Sequence, residues 1–259
     1  MSFHRGEPGL FDDSKGKSPE SPFTPFQDSS ELRSVGKVAK GVTGTRVRYW
    51  ADSQVFTPGA TFQFEELASR ARQTAFLVPG LTVKISDERT ETPATELFAF
   101  DGGISEFVEF LAPDEAVTSI WRLTGEGTFR ETVPVLGDDG NMSAQEVERT
   151  CAVDIAVRWG TGYETSIHSF VNIIATPKGG THQAGFEQSL LKVLRTQVEA
   201  NARRLKAGSD KLEKDDVVTG LTAVVTVRLP EPQFEGQTKE VLCTPAVRQI
   251  VANVVSTAL

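Results

Sequence analysis

Cysteine and histidine are scarce in these 259 residues. Cys151 and Cys243 stand far apart without metal-ligand spacing, which excludes a disulfide framework and a zinc ribbon and fits two thiols of a reducing compartment. His4, His168 and His182 form no HxxxH or HxH pair, so no structural zinc site is expected. Long apolar runs are absent too. The longest, such as FVNIIA, has the length of a strand and falls far short of the ~20 residues of a membrane-spanning helix. The start, MSFHRGEPGLF, lacks a charged segment followed by an apolar one, so no signal peptide is expected. No membrane role is expected, and the expected compartment is the cytoplasm. Positive charge is in deficit: 27 Lys and Arg face 35 Asp and Glu, for a net charge of −8 and a pI near 5.1. A surface that wraps nucleic acid on its own is basic, which leaves only a local basic face open. Nucleotide motifs are missing as well. There is no GxxxxGK[ST] and no GxGxxG. No Ser-His-Asp or Cys-His arrangement follows from spacing, and no pair of acids is singled out for acid–base work.

What is present is ordinary globular material, with 39% hydrophobic and 24% charged residues. The length suits one large or two small domains. Residues 6–42 are rich in Gly, Pro, Ser and charge and read as a flexible insertion. TGTRVRYW (43–50) alternates Val47 and Tyr49 with Arg46 and Arg48, as a half-buried strand does. FQFEELASRARQTAFL (62–77) has helical spacing, with acids early and arginines later. LTVKISD (81–87) and ELFAF (96–100) read as a hairpin, and ISEFVEFL (104–111) as a short helix. VTSIWRL, TFRETVPVL and TCAVDIAVRW then read as consecutive strands, and TSIHSFVNIIAT as another. HQAGFEQSLLKVLRTQVEANARRLK (182–206) is the longest helical pattern, followed by a polar linker, AGSDKLEKDD. LTAVVTVRL is a buried strand, and PAVRQIVANVVSTAL a last helix. A boundary falls near residue 112, with an α+β unit on each side. The chain begins at a strand-like MSFHR and ends within a helical pattern, so both ends are expected to be cut from something longer.

The strand LTAVVTVRL runs into PEPQFEGQTKE (230–240), which sets Lys239 among polar hydrogen-bonders at the tip of a Gly/Pro loop. Such a loop is either solvated surface or a reach toward an anion. Other candidates are weaker. EANARR (199–204) has the look of an E-x-x-x-N-A-x-D nucleotide box, but Gln197 stands where the Glu belongs before Asn201, and Arg204 where the Asp would be. It reads as a polar helix end. His182, after Gly179-Gly180-Thr181, is either a catalytic base or part of a helix start, and the helix start is preferred. Lys192, Arg195, Arg203, Arg204 and Lys206 are interleaved with Gln197 and Glu199 and read as a solvated face.

Five blocks carry a resemblance in order: TGTRVRYWAD, LASRARQTAFLVPGL, DGGISEFVEFL, WGTGYETSIHSFVNIIATPKGGTH and GLTAVVTVRLPEPQFEGQTKE. Together they resemble the B subunit of bacterial type IIA DNA topoisomerases, that is, of DNA gyrase or topoisomerase IV, from about residue 43 to the end. The resemblance implies an α+β chain. Residues 1–112 would be the C-terminal part of a Bergerat-type (GHKL) ATPase domain. Residues 113–259 would be a transducer domain like the second domain of ribosomal protein S5, truncated in its last helix. It implies ATP-binding roles for Thr45, at the adenine end of the pocket, and for Gln237 and Lys239, at the γ-phosphate. Lys239 would also stabilise the transition state. It further implies ATP and Mg²⁺ as cofactors of the full-length enzyme, with no metal ligand in this chain. The partners would be DNA, a topoisomerase A subunit, and a second B subunit within an A2B2 assembly.

The resemblance also shows gaps. The E-x-x-x-N-A-x-D box, the Gly-rich ATP lid and the EGDSA-type metal segment are not found, so the chain alone is expected to be inactive. After GGTH and GF, many relatives carry an arginine facing the DNA cavity. Glu187 stands there instead, which speaks against DNA contact by this helix and leans toward topoisomerase IV or a divergent paralogue. The alternatives are an inactive stand-alone interaction or regulatory module, or the non-functional product of a mis-assigned start.

Overall fold

A computed structural model describes residues 2–4, 7–12, 14, 21–26, 36–52, 54–57, 59–136, 142–208 and 211–259. The chain divides into two compact units, Met1–Phe62 and Gln63–Leu259. The first holds an antiparallel sheet of β1 (Ser2–His4), β2 (Glu7–Phe11) and β3 (Phe23–Pro25), in that order. The rings of Phe11 and Phe23 lie 4.9 Å apart, and His4 sits 5.3 Å from Phe23. Two strands thus fall within the polar segment 6–42 where it is described, because two phenylalanines meet across them. The strand expected at 43–50 does not form. Val47 is 84% and Tyr49 58% exposed, and no strand pairs with the segment among the described residues. Alternation of side chains makes a strand only when a partner takes up the backbone groups and one face.

The second unit is built on a five-stranded sheet. Helix α1 (Phe64–Leu77) leads to the hairpin β4 (Val83–Asp87) and β5 (Ala94–Phe98), as the sequence pattern predicts. Helix α2 (Ile104–Leu111) follows. Next come β6 (Trp121–Leu136), β7 (Met142–Trp159), β8 (Ser166–Val171) and β9 (Ile174–Ala175). Helices α3 (Thr181–Ala200), α4 (Ala202–Leu205) and α5 (Lys214–Val218) precede β10 (Leu221–Arg228), and α6 (Pro245–Ala258) closes the unit. The sheet order is β6-β7-β10-β8-β9, with β10 antiparallel to β7 and parallel to β8. Helix α5 starts inside the segment read as a linker, where the Glu213 N–H donates to Asp216 Oδ2 at 2.7 Å and caps the first turn.

Strand β10 is covered on both faces. Leu221, Ala223, Val225 and Val227 join Phe186, Leu190, Val247 and Val251 under α3 and α6. Val224 joins Phe76, Phe107 and Phe170 under α1 and α2. A strand with two buried faces needs a nearly continuous apolar run, which is what LTAVVTV supplies. The ring of Phe76 stacks on Phe100 at 3.6 Å and on Phe107 at 4.8 Å.

VTSIWRL and TFRETVPVL are not separate strands. The glycines of TGEGT, between the two expected strands, lie within the 16-residue β6. They are small because α6 crosses there. A Cβ on Gly125 would meet Val254 Cγ2 at 2.8 Å, and one on Gly127 would meet Ile250 Cγ2 at 2.8 Å. The third expected strand, TCAVDIAVRW, is only the second half of the 18-residue β7. This origin of the glycines predicts that Gly125→Val, despite its better strand propensity, lowers stability by about 1–3 kcal/mol through overpacking. Urea denaturation measures it, and a gain in stability would show that the site is open.

Candidate functional site

The loop leaving β10 is held at its base and bare at its tip. Asn172 brackets Leu229: its Nδ2 donates to the Leu229 carbonyl at 2.7 Å, and its Oδ1 accepts from the Leu229 N–H at 3.0 Å. The Gln233 N–H donates to Thr244 Oγ1 at 3.0 Å, and the Cys243 N–H to the Gln233 carbonyl at 2.8 Å. Phe234 and Leu242 form an antiparallel bridge across the loop. Leu242 is also gripped from the other side. Its N–H donates to the Gly179 carbonyl, and its carbonyl accepts from the Thr181 N–H. Gly180, at φ 138°, allows this approach, since a Cβ there would lie 2.4 Å from the Leu242 carbonyl oxygen. The TPKGGTH turn and the loop are therefore one backbone assembly.

Beyond the bridge, Gln237, Thr238 and Lys239 are exposed. Lys239 has φ 58°, and its Nζ lies 5.9 Å from the centroid of the Phe234 ring. It makes no ion pair among the described residues, whereas its neighbour Glu240 is paired with Lys178 at 2.7 Å. That pairing holds the Glu240 carboxyl below its usual range and raises the Lys178 ammonium. The tip thus offers an unspent ammonium and an unspent carboxamide. These are the donors an anion needs. Of the predicted site residues, Gln237 and Lys239 share this loop. Thr45 lies in the first unit, exposed and outside regular structure.

The other candidates fall away on geometry. His182 is fully buried. Its Nε2 pairs with Thr176 Oγ1 at 3.1 Å, Thr176 pairs with Ser169 at 2.7 Å, and its Nδ1 has no partner. Burial pushes its pKa down to about 4. It is a core imidazole, closed to substrate, and Gly180 rather than a side chain caps α3. Asn201 donates to the Gln197 carbonyl at 2.8 Å, so EANARR is a helix end. Arg195 is tied to the Leu212 carbonyl at 2.6 Å. Glu187 accepts from Gln183 at 2.9 Å and pairs with Lys214 at 2.5 Å. Cys151 is buried, its thiol pushed up to about 11, and Cys243 is a free exposed thiol. Among the described residues no group of three or more His, Cys, Asp or Glu could hold a metal ion, and no helix is long and apolar enough to cross a membrane.

Sequence reasoning missed the anchors of the loop: Arg149, Glu131, Glu231, Gln233 and the Lys178–Glu240 pair. No local signal marks them, because each joins residues far apart in the chain.

Comparison with known proteins identifies relatives over most of the chain. The family model described as DNA gyrase B matches residues 103–259. The DNA gyrase B protein of Campylobacter jejuni is 38% identical over 86% of this chain. The chain belongs to the DNA gyrase B family. The Treponema denticola gyrase B protein is 35% identical over 92% of this chain. This member of the family spans only 26% of the first relative and 35% of the second. Among solved structures, the 43K ATPase domain of Thermus thermophilus gyrase B, in complex with an aminocoumarin, aligns with a TM-score of 0.57 and 26% identity. That alignment covers 80% of this chain and 49% of that one. The topoisomerase IV ATP-binding domain of Francisella tularensis, at 24% identity and a TM-score of 0.57, shares the fold. The fold is the expected α+β one, a GHKL ATPase part followed by an S5 domain 2-like part. The lean of Glu187 toward topoisomerase IV finds no support in the family model or these two sequence relatives, which are gyrase B.

His182 makes stability depend on pH. Its folded pKa of about 4 lies below the unfolded value near 6.5. Its contribution is therefore full above pH 6.5 and lost as pH falls through 4, about 3 kcal/mol in all. Urea unfolding at pH 7 and pH 4.5 should show that loss, and His182→Gln should remove that part of it.

Proposed function

We propose that this chain is the nucleotide-sensing segment of a type IIA topoisomerase B subunit, and that its Gln237–Lys239 loop reads the γ-phosphate of ATP. The observation that carries the reading is the pair of unspent donors at the tip of an otherwise saturated loop, in a member of the gyrase B family. In this reading residues 1–112 belong to the ATPase domain and residues 113–259 to the transducer. Thr45 contributes to the adenine end of the pocket. DNA, an A subunit and a second B subunit are the partners of the whole enzyme, which passes one duplex through another.

The chemistry is electrostatic. Charge on the phosphoryl oxygens is met by the Lys239 ammonium and the Gln237 amide, which need no reorganisation if the base is rigid. The contact lasts only while the phosphate is present. Its loss frees the transducer to rotate, which makes the loop a switch. The tip donors fit a triphosphate. The described residues offer no cluster to hold Mg²⁺, so no step is assigned to the metal. The box that supplies the general base is not among the 259 residues, and the isolated chain turns over no ATP.

Residues 113–259 can be placed in Campylobacter jejuni gyrase B in place of the matching segment. Lys239→Ala should then lower kcat for ATP about 10²–10³-fold, with KM moving less. Undiminished turnover would overturn the phosphate role. ATP turnover by the isolated chain, abolished by the same substitution, would overturn its inactivity.

A further inference from the structure

The antiparallel pairing of β10 with β7 ends at Arg228 opposite Ala152. Strands β6 and β7 continue past that point as a two-stranded ribbon, paired through Leu136 opposite Met142. The loop that leaves β10 therefore starts beside the ribbon. Two ribbon residues meet two loop residues there. Arg149 Nη2 donates to Glu231 Oε2 at 2.5 Å, and its Nε lies 3.8 Å from Glu131 Oε2. Glu131 Oε1 accepts from Gln233 Nε2 at 2.6 Å. The side chains run in sequence Glu231, Arg149, Glu131, Gln233, with the two ribbon residues between the two loop residues.

We infer that Arg149 is a positioning residue for the Gln237–Lys239 loop, fixing its incoming limb to the β6–β7 ribbon through Glu231 and, by way of Glu131, through Gln233. The inference rests on the reading that the tip meets a phosphate. Three features carry it. The Arg149 and Glu131 side chains are 17% and 20% exposed, so their pairing is screened less than a surface pair. Glu231 stands between Pro230 and Pro232 with φ 49°, a conformation that a non-glycine residue holds only when its surroundings impose it. Its carboxylate, 69% exposed, has Arg149 as its one ion-pair partner among the described residues. The outgoing limb is fastened separately, by Lys178 to Glu240 and by Leu242 to the TPKGGTH turn. The tip thus hangs between two anchors on different parts of the fold, and a shift of the ribbon would reach the tip through Arg149. Arg149 hydrogen-bonds Glu231, while its buried Nε has no hydrogen-bond partner and is tied to Glu131 by charge alone; flanked by these two carboxylates, it serves the phosphate only through the loop.

Amide hydrogen exchange on the full 259-residue chain tests this without nucleotide. Arg149→Ala should speed exchange in residues 231–240 about tenfold, on the scale of one lost charge-assisted hydrogen bond. Residues 221–228 of β10 should stay unchanged. Arg149→Lys should restore part of the protection, and Glu231→Gln should reproduce part of the loss. Unchanged exchange in 231–240, or an equal rise in β10, would overturn the inference. In the gyrase chimaera, Arg149→Ala should lower kcat more than it changes KM, with partial rescue by Arg149→Lys; equal kcat in all three, where Lys239→Ala does lower turnover, would also overturn it. The two readings separate. A loosened loop with full turnover in Lys239→Ala defeats the phosphate role and leaves the anchoring intact. A loop unchanged by Arg149→Ala, with turnover lost in Lys239→Ala, does the reverse.

Discussion

Burial of β10 on both faces is the constraint on which the second unit depends. A strand with apolar side chains on both sides has to be central, with helices above and below. Strands β7 and β8 take its two edges, α3 and α6 take one face, and α1 and α2 take the other. The place where β10 ends is then determined as well. Asn172, in the β8–β9 turn, fixes Leu229 just past that end, so the loop springs from the held end of the central strand.

The loop divides its polar groups unequally. At the base, backbone groups of Gln233, Leu242 and Cys243 are paired across the loop and to the TPKGGTH turn. At the tip, Lys239 and Gln237 keep their donors. Lys239 and Glu231 both hold positive φ, at a cost of roughly 1–2 kcal/mol each for a non-glycine residue, which the paired base offsets. A paired base and an unspent tip suit the proposed anion recognition. The donors need not be pulled away from protein partners when the ligand arrives.

The β6–β7 ribbon adds a second connection. Gly125 and Gly127 let α6 lie close on β6, and beyond that crossing the ribbon carries Glu131 and Arg149 to the loop. Strand, helix and loop thus meet within a few residues.

Much of this was legible in the amino-acid order. The apolar run LTAVVTV marked a central strand, the spacing of FEELASRARQTAFL a helix, and PEPQFEGQTKE a loop with a cation at its tip, because local periodicity and turn chemistry act over a few residues. Where local signals depended on distant partners, they misled. TGTRVRYW alternates like a strand but has none to pair with among the described residues, and TGEGT separates two expected strands but lies within one, where it makes room for α6. The sequence by itself determined the central strand, the helices and the loop that carries Lys239. The tertiary structure alone decided what anchors that loop, since Arg149 and Glu231, or Lys178 and Glu240, are joined only when the sheet closes and brings remote segments side by side.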